Sequence, residues 1–387
     1  MRPTRFAWFA VALALLAAGL VLAIPALDFV RGTALVVRGA GLRGPWPERL
    51  MSWTNHPFET RDLQVASRYG ALRARLYRPS NRSNRTIILT AGVHAEGIDE
   101  PRLVKLARDF AATGITVLTP ELPDLLEYRI TPRLPDMLED VVAWAAADTE
   151  LAPDGQVGLV GISFSGGLSV VAAGRARIAR HVAFVVSFGG HGDLGRTLEY
   201  LCTGMQPDGQ YRQPHDYGVV IILLNGADRL VPPADVEPLR RAIRVFLQAS
   251  HVDMVDHTRA QRIFQQAIEL EPSLPEPART LLHYVNTRDV AHLGPVLLPH
   301  VEAVTTDPSM SAERSPAPTA PVFLLHGSDD NVIPSVESSL LAGSLERRGA
   351  SVHLLRSSLI THAELDRSPD RASVLALLRF WTAALSR

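Results

Sequence analysis

The chain has 387 residues, 47% of them hydrophobic and 20% charged, with a formal net charge of −1. That length admits two domains or one large α/β domain with an insertion, and the apolar share excludes a disordered chain. The near-neutral balance supplies no basic field for nucleic acid, and a single cysteine, Cys202, excludes a disulfide framework or a Cys-rich zinc site.

Phe6 to Leu27 is an uncharged apolar run between Arg2/Arg5 and Asp28/Arg31. It is long enough as helix to cross a bilayer core of about 30 Å, and no polar face interrupts it at helical spacing. A signal peptide would need a shorter apolar region and a small-x-small cleavage site, which Pro25 disrupts. The expectation is a single-pass N-terminal transmembrane helix within residues 1–30. Arg2, Arg5 and the terminal amine favour a cytoplasmic N-terminus, while Arg31, Arg38 and Arg43 pull the other way. A very short tail and a long following domain weigh towards an extracytoplasmic domain. Residues 31–60, which contain Gly, Pro and Trp, read as a juxtamembrane linker.

From residue 61 the alternation of Leu63–Ser67 and Ala71–Tyr77 around Tyr69-Gly70 predicts an antiparallel hairpin. Short apolar runs then alternate with helical spacing. The runs are Thr86–Thr90, Ile115–Thr119, Val157–Val160 and Val182–Phe188, and the helices are Leu103–Thr113, Asp136–Ala147 and Leu168–Ala173. This is the pattern of parallel βαβ units with both sheet faces covered. The rhythm breaks over 196–319, which holds an apolar run at Val219–Leu224 and helices at Val236–Gln248, Arg259–Leu270 and Ala278–Asn286. The insertion reads as a mainly helical cap leaving through a Pro/Ala/Ser-rich linker, Asp307–Pro321. Val322–His326, Val352–Leu355 and a helix at Arg371–Leu385 complete the core. The expected fold is α/β, a mostly parallel doubly wound sheet built from 61–195 and 320–387.

The sharpest local signal is Gly161-Ile162-Ser163-Phe164-Ser165-Gly166-Gly167 after an apolar strand. A serine between strand and helix, with small residues two places either side, is lifted clear of the sheet; the next N–H, that of Phe164, is then free to hold an oxyanion. Ser165 has similar neighbours, but the strand ends directly at Gly161, which favours Ser163. No lysine follows, as a phosphate loop would require. The spacings Gly39-Gly41-Gly44 and Gly190-Gly192-Gly195 lack the strand-helix-acid context of a dinucleotide site. Downstream, Pro321–Pro334 is a strand running into an acidic turn with Asp329 and Asp330. Val352–His362 is a strand running into a loop histidine. Ser, Asp and His then all leave strands at one sheet edge, in the chain order of a serine nucleophile, its orienting acid and its base. Asp228, in Leu224–Pro232, mimics the acid turn but has no histidine-bearing strand after it. His251, Asp253, Asp256 and His257 lack metal-ligand spacing and read as solvated polar residues, while His326 and His353 read as strand histidines.

In this context Ser163, Asp330 and His362 resemble the α/β-hydrolase superfamily over about Leu63–Gly192 and Pro321–Leu385. The resemblance selects Asp330, three residues after Gly327, over Asp329. It also implies a second oxyanion donor in Thr90-Ala91-Gly92-Val93-His94. The usual His-Gly pair is Ala91-Gly92 here, which points to the Val93 N–H, with His94 as a substitute. His94 and His191 would line the pocket. The implied function is a membrane-anchored serine hydrolase acting on a small-molecule ester or acyl substrate through an acyl-enzyme, with carboxylic ester hydrolysis foremost and no cofactor or metal. The alternatives are peptidase or acyltransferase chemistry on the same triad, or a non-catalytic protein whose insertion binds a partner or lipid.

Overall fold

The parallel strands at the centre of the molecule carry apolar side chains on both faces, and each face is covered by helices. The structure is a computed structural model that describes residues 27–39, 41, 43–81, 83–305, 307–360 and 371–387. In chain order the elements are α1 (27–39), α2 (Pro45–Trp53), β1 (Phe58–Ser67), β2 (Gly70–Pro79), β3 (Thr86–Thr90), α3 (Pro101–Ala112), β4 (Thr116–Pro120), α4 (Pro123–Leu126) and α5 (Arg133–Ala147). They continue with β5 (Val157–Ile162), α6 (Phe164–Ala173), β6 (Val182–Phe188), α7 (Leu194–Thr203), α8 (Asp216–Gly226), α9 (Pro233–Asp253), α10 (His257–Leu270), α11 (Ala278–Asn286) and α12 (Val290–Thr305). The chain closes with β7 (Val322–Gly327), α13 (Val336–Arg347), β8 (Val352–Ser357) and α14 (Arg371–Leu385).

The strands form one eight-stranded sheet in the order β1-β2-β4-β3-β5-β6-β7-β8. β2 runs antiparallel to both neighbours, and the remaining pairs are parallel. Alternate side chains of a strand enter opposite layers, as the two-residue period requires. Ile88, Leu159, Val185 and Leu324 pack with α5, α6, α13 and the cap. Leu89, Val160, Val186 and Leu325 pack with α1, α3 and α14. Parallel pairing brings the carboxyl ends of β3, β5, β7 and β8 to one edge, the edge at which doubly wound sheets hold their sites.

Two expectations need correction, and one unassigned run finds its place. Much of the stretch read as a juxtamembrane linker is helical and packed. Leu35 and Val36 of α1 are buried in the core, and a Cβ on Gly32 would lie 2.7 Å from Thr382 Oγ1 of α14. The apolar run Val219–Leu224, left unassigned by its pattern, lies inside helix α8, where its side chains are buried all round. The exit strip is not a loose linker either. Met310, Ser311 and Ala312 are buried, and the Arg348 guanidinium donates to the carbonyls of Ser315 and Ala312 at 2.6 and 3.2 Å. Apart from Leu27, the apolar run expected to span a membrane lies outside the described residues. Among the described residues no helix is long and apolar enough to cross one.

Candidate active site

Ser163 stands between β5 and α6 with φ 54° and ψ −130°, a backbone conformation that non-glycine residues avoid. Its N–H donates to the Phe188 carbonyl of β6 at 2.7 Å, and its own carbonyl accepts from Gly166 N at 2.8 Å. The turn closes so tightly that a Cβ on Gly161 would sit 2.2 Å from the Ser165 carbonyl oxygen and 2.4 Å from Ser169 Oγ. Glycine two places before the serine is therefore a steric requirement. Phe164 is the first residue of α6, so its amide is one of the helix's unpaired N-terminal donors.

The turn after β3 faces this serine. A Cβ on Gly92 would lie 3.2 Å from Ser163 Cβ and 3.6 Å from Ser163 Oγ. Val93, the expected second oxyanion donor, follows directly, and its carbonyl accepts the Tyr217 hydroxyl of α8 at 2.9 Å. Ser165 occupies the other small-residue position and is wholly buried, its hydroxyl donating to the Ala91 carbonyl. Ser165 and Ala91, the latter standing in for the usual histidine, thus hold each other. They tie α6 to the oxyanion turn, and Ser165 is removed from contention as nucleophile.

Of the adjacent aspartates, Asp330 is buried and Asp329 is largely exposed near Arg212. Asp330 Oδ1 accepts the amides of Val332 and Ile333 at 2.8 and 3.0 Å, and Oδ2 lies 3.3 Å from His326 Nε2. His326 is a satisfied core residue, with Nδ1 on Ser338 Oγ at 2.6 Å and Nε2 on the Ile333 carbonyl at 2.9 Å. The cap grips the same turn, since Tyr200 Oη and the His215 amide both donate to the Asn331 carbonyl, at 3.1 and 2.9 Å. β8 leaves beside it, with Gly327 opposite Ser357. His362 lies outside the described residues, on the stretch that follows Ile360. Asp228 lies beyond the end of helix α8, exposed and paired with Arg240 at 3.1 Å, away from any strand end.

The pocket histidines fare differently from expectation. His191 is fully buried, its ring stacked on Phe164 with centroids 4.8 Å apart and its Nε2 2.9 Å from the Met310 carbonyl. Burial pushes its pKa down, so it acts as a neutral wedge behind Phe164 rather than a lining side chain. His94 turns towards α9. Its Nδ1 accepts the Glu96 amide at 3.2 Å, and its ring meets that of His251 edge to face at 4.1 Å. Burial first, then the facing His251, lower its pKa to about 4. Donor atoms of His94, Glu96 and His251 all lie within 4.8 Å of one another. The sequence grouping of His251 with Asp253 and His257 breaks up: those two pair on the surface at 2.6 Å while His251 faces inward. Neither Tyr217 nor the His94–His251 meeting was visible in local spacing, because each joins the cap to a turn more than 120 residues earlier. Burial raises the Cys202 thiol to about 12, which leaves it inert.

The sheet order and the position of these residues on it fit the α/β-hydrolase fold. No family model and no curated protein matches the chain. Among solved structures it is similar to an esterase of Pyrobaculum calidifontis (15% identity, TM-score 0.45, covering 92% of this chain and 88% of that one). It is also similar to an arylesterase (15%, 0.47, 87% and 88%) and to the acylaminoacyl peptidase of Pyrococcus horikoshii (13%, 0.44, 86% and 42%). At such identities and TM-scores these likenesses add nothing to the reading of the site, which stands on this chain's own residues.

Proposed function

We propose that the chain is a serine hydrolase, foremost a carboxylic ester hydrolase, held at a membrane by Phe6–Leu27. The observation that carries the reading is the strained Ser163 at the mouth of β5 with the Gly92 turn against it. A serine hydroxyl is a weak nucleophile and needs a base, which in turn needs an orienting carboxylate. His362 takes the proton from Ser163 Oγ as it attacks the carbonyl carbon, and Asp330 holds the imidazole's tautomer. The amides of Phe164 and Val93 receive the developing oxyanion. His362 returns the proton to the leaving alcohol, and water, activated by the same histidine, releases the acyl group. Asp330 suits its role because turn amides and His326 fix the carboxylate in place.

A fluorophosphonate probe tests the chemistry. The wild-type chain should be labelled at Ser163 and the Ser163→Ala chain should not. Silence in a folded wild-type sample would favour a non-catalytic role. Carbonate extraction of membranes tests the anchor, and protease protection tests the extracytoplasmic placement of the domain.

A further inference from the structure

His94 and Glu96 lie on the turn after β3, at the edge of the proposed oxyanion hole, and His251 lies near the C-terminal end of the 21-residue cap helix α9. Hydrolysis has no use for this trio. His251 Nε2 stands 3.0 Å from Glu96 Oε1, which an ordinary ion pair or hydrogen bond accounts for. That pairing leaves His94 Nε2 unexplained, a ring nitrogen buried without a partner among the described residues. Buried polar atoms in native proteins nearly always have a partner, so an orphan ring nitrogen beside a histidine–carboxylate pair points to a missing one.

We propose that His94, Glu96 and His251 bind a divalent transition-metal ion of the zinc class, clamping α9 of the cap to the turn that carries Val93. Two imidazoles and one carboxylate suit zinc, whereas calcium and magnesium prefer oxygen donors. Ligands at ~2.1 Å around a tetrahedral ion stand ~3.4 Å apart, so the 3.0 Å His251–Glu96 pair needs to open by ~0.4 Å and the separations to His94, all within 4.8 Å, need to close by at most ~1.4 Å. Both rings can serve as neutral ligands, the form in which imidazole offers a lone pair. Ligation through His94 Nε2 moves that ring's proton to Nδ1 and gives up the Glu96 amide bond, a long one at 3.2 Å. Three protein ligands leave the fourth position to water.

The test uses the full-length chain stripped of metal with a chelator, titrated with zinc chloride and followed by calorimetry and by competition with a chromophoric chelator. One equivalent should bind and raise the melting temperature by several degrees. His251→Ala should weaken binding at least ~100-fold and remove the thermal shift. Should that chain fold poorly, Glu96→Gln, whose side chain is substantially exposed, carries the same comparison. His257→Ala, in the surface pair beyond α9, should bind zinc like the wild type. The proposal is overturned if the wild type binds zinc no more tightly than the His251→Ala or Glu96→Gln chain, or if His257→Ala is the variant that loses it. None of these readouts involves ester turnover, so this result and the hydrolase reading stand or fall separately.

Discussion

Replacing Ser163 by glycine and, separately, by alanine should stop catalysis equally and yet separate the two variants in stability. Both remove the hydroxyl and whatever it bonds, so the difference between them isolates the backbone. At φ 54° and ψ −130° a residue with a Cβ is strained by on the order of 1–3 kcal/mol. Alanine keeps that strain and glycine sheds it. Against this, glycine loses more chain entropy on folding, roughly 0.5–1 kcal/mol. The net expectation is that Ser163→Gly is more stable than Ser163→Ala by about 1 kcal/mol. Guanidinium denaturation of the two variants reads this as a higher midpoint at unchanged slope, with ester hydrolysis measured in parallel. An alanine variant as stable as the glycine variant would show that no strain is stored at Ser163, and the case for this residue as an exposed nucleophile would lose its main physical premise.

Asp330→Asn should lower turnover by orders of magnitude by favouring the wrong tautomer of His362, whereas Asp228→Asn, on the exposed cap, should change it by less than about twofold. Gly161→Ala should give a poorly folded chain, since the new Cβ would fall 2.2 Å from a backbone oxygen that cannot swing aside; circular dichroism and solubility read this directly. The third expectation concerns pH. His94 has a folded pKa of about 4, lowered by burial and then by His251, with Arg102 adding to the effect and Glu100 opposing it. Below about pH 6.5 the unfolded chain takes up a proton that the folded chain refuses, so stability falls as pH drops from there towards 4 and levels off beneath it. Urea midpoints of the metal-free chain between pH 7.5 and 4 should show this slope in the wild type, and His94→Gln should flatten it.

What was legible in the sequence was whatever depends on neighbours along the chain. Thr86–Thr90 and Val182–Phe188 have the bounds their apolar runs suggest, because strands covered on both faces exclude charged side chains and admit only small hydroxyls such as Thr86, Thr90 and Ser187. The Gly161–Gly167 turn was readable because its steric demand is local. Val219–Leu224 could not be assigned for the converse reason. A helix buried on all sides shows the same unbroken apolar run as a central strand, and its cap surroundings are invisible from the sequence. His191 was misplaced because a histidine three residues past a strand end looks the same whether it lines a pocket or stacks beneath Phe164. The site on the core is written in short motifs, and its coupling to the cap is not written locally at all.

That coupling decides how the insertion behaves. Composition suggested a mainly helical cap leaving through a Pro/Ala/Ser-rich linker. In the fold, Phe246, Leu239 and Leu282 of the cap belong to the same continuous apolar cluster as Leu159 and Val185 of the sheet. Polar ties reinforce it: Tyr200 and His215 hold the turn of Asp330, Tyr217 holds Val93, and Arg196 pairs with Glu313 and the buried Glu337. Burial of one large apolar side chain is worth about 1.5–3 kcal/mol, so removing several at once exceeds the whole stability of a typical domain, about 5–15 kcal/mol. Replacing 197–318 by a short Gly/Ser linker should therefore abolish folding rather than leave a competent core. The intact domain should unfold in one transition seen alike by far-ultraviolet dichroism and by tryptophan fluorescence. Two separated transitions, or a soluble capless chain that a fluorophosphonate still labels, would show instead that the cap is a detachable lid and that the sheet holds its site unaided.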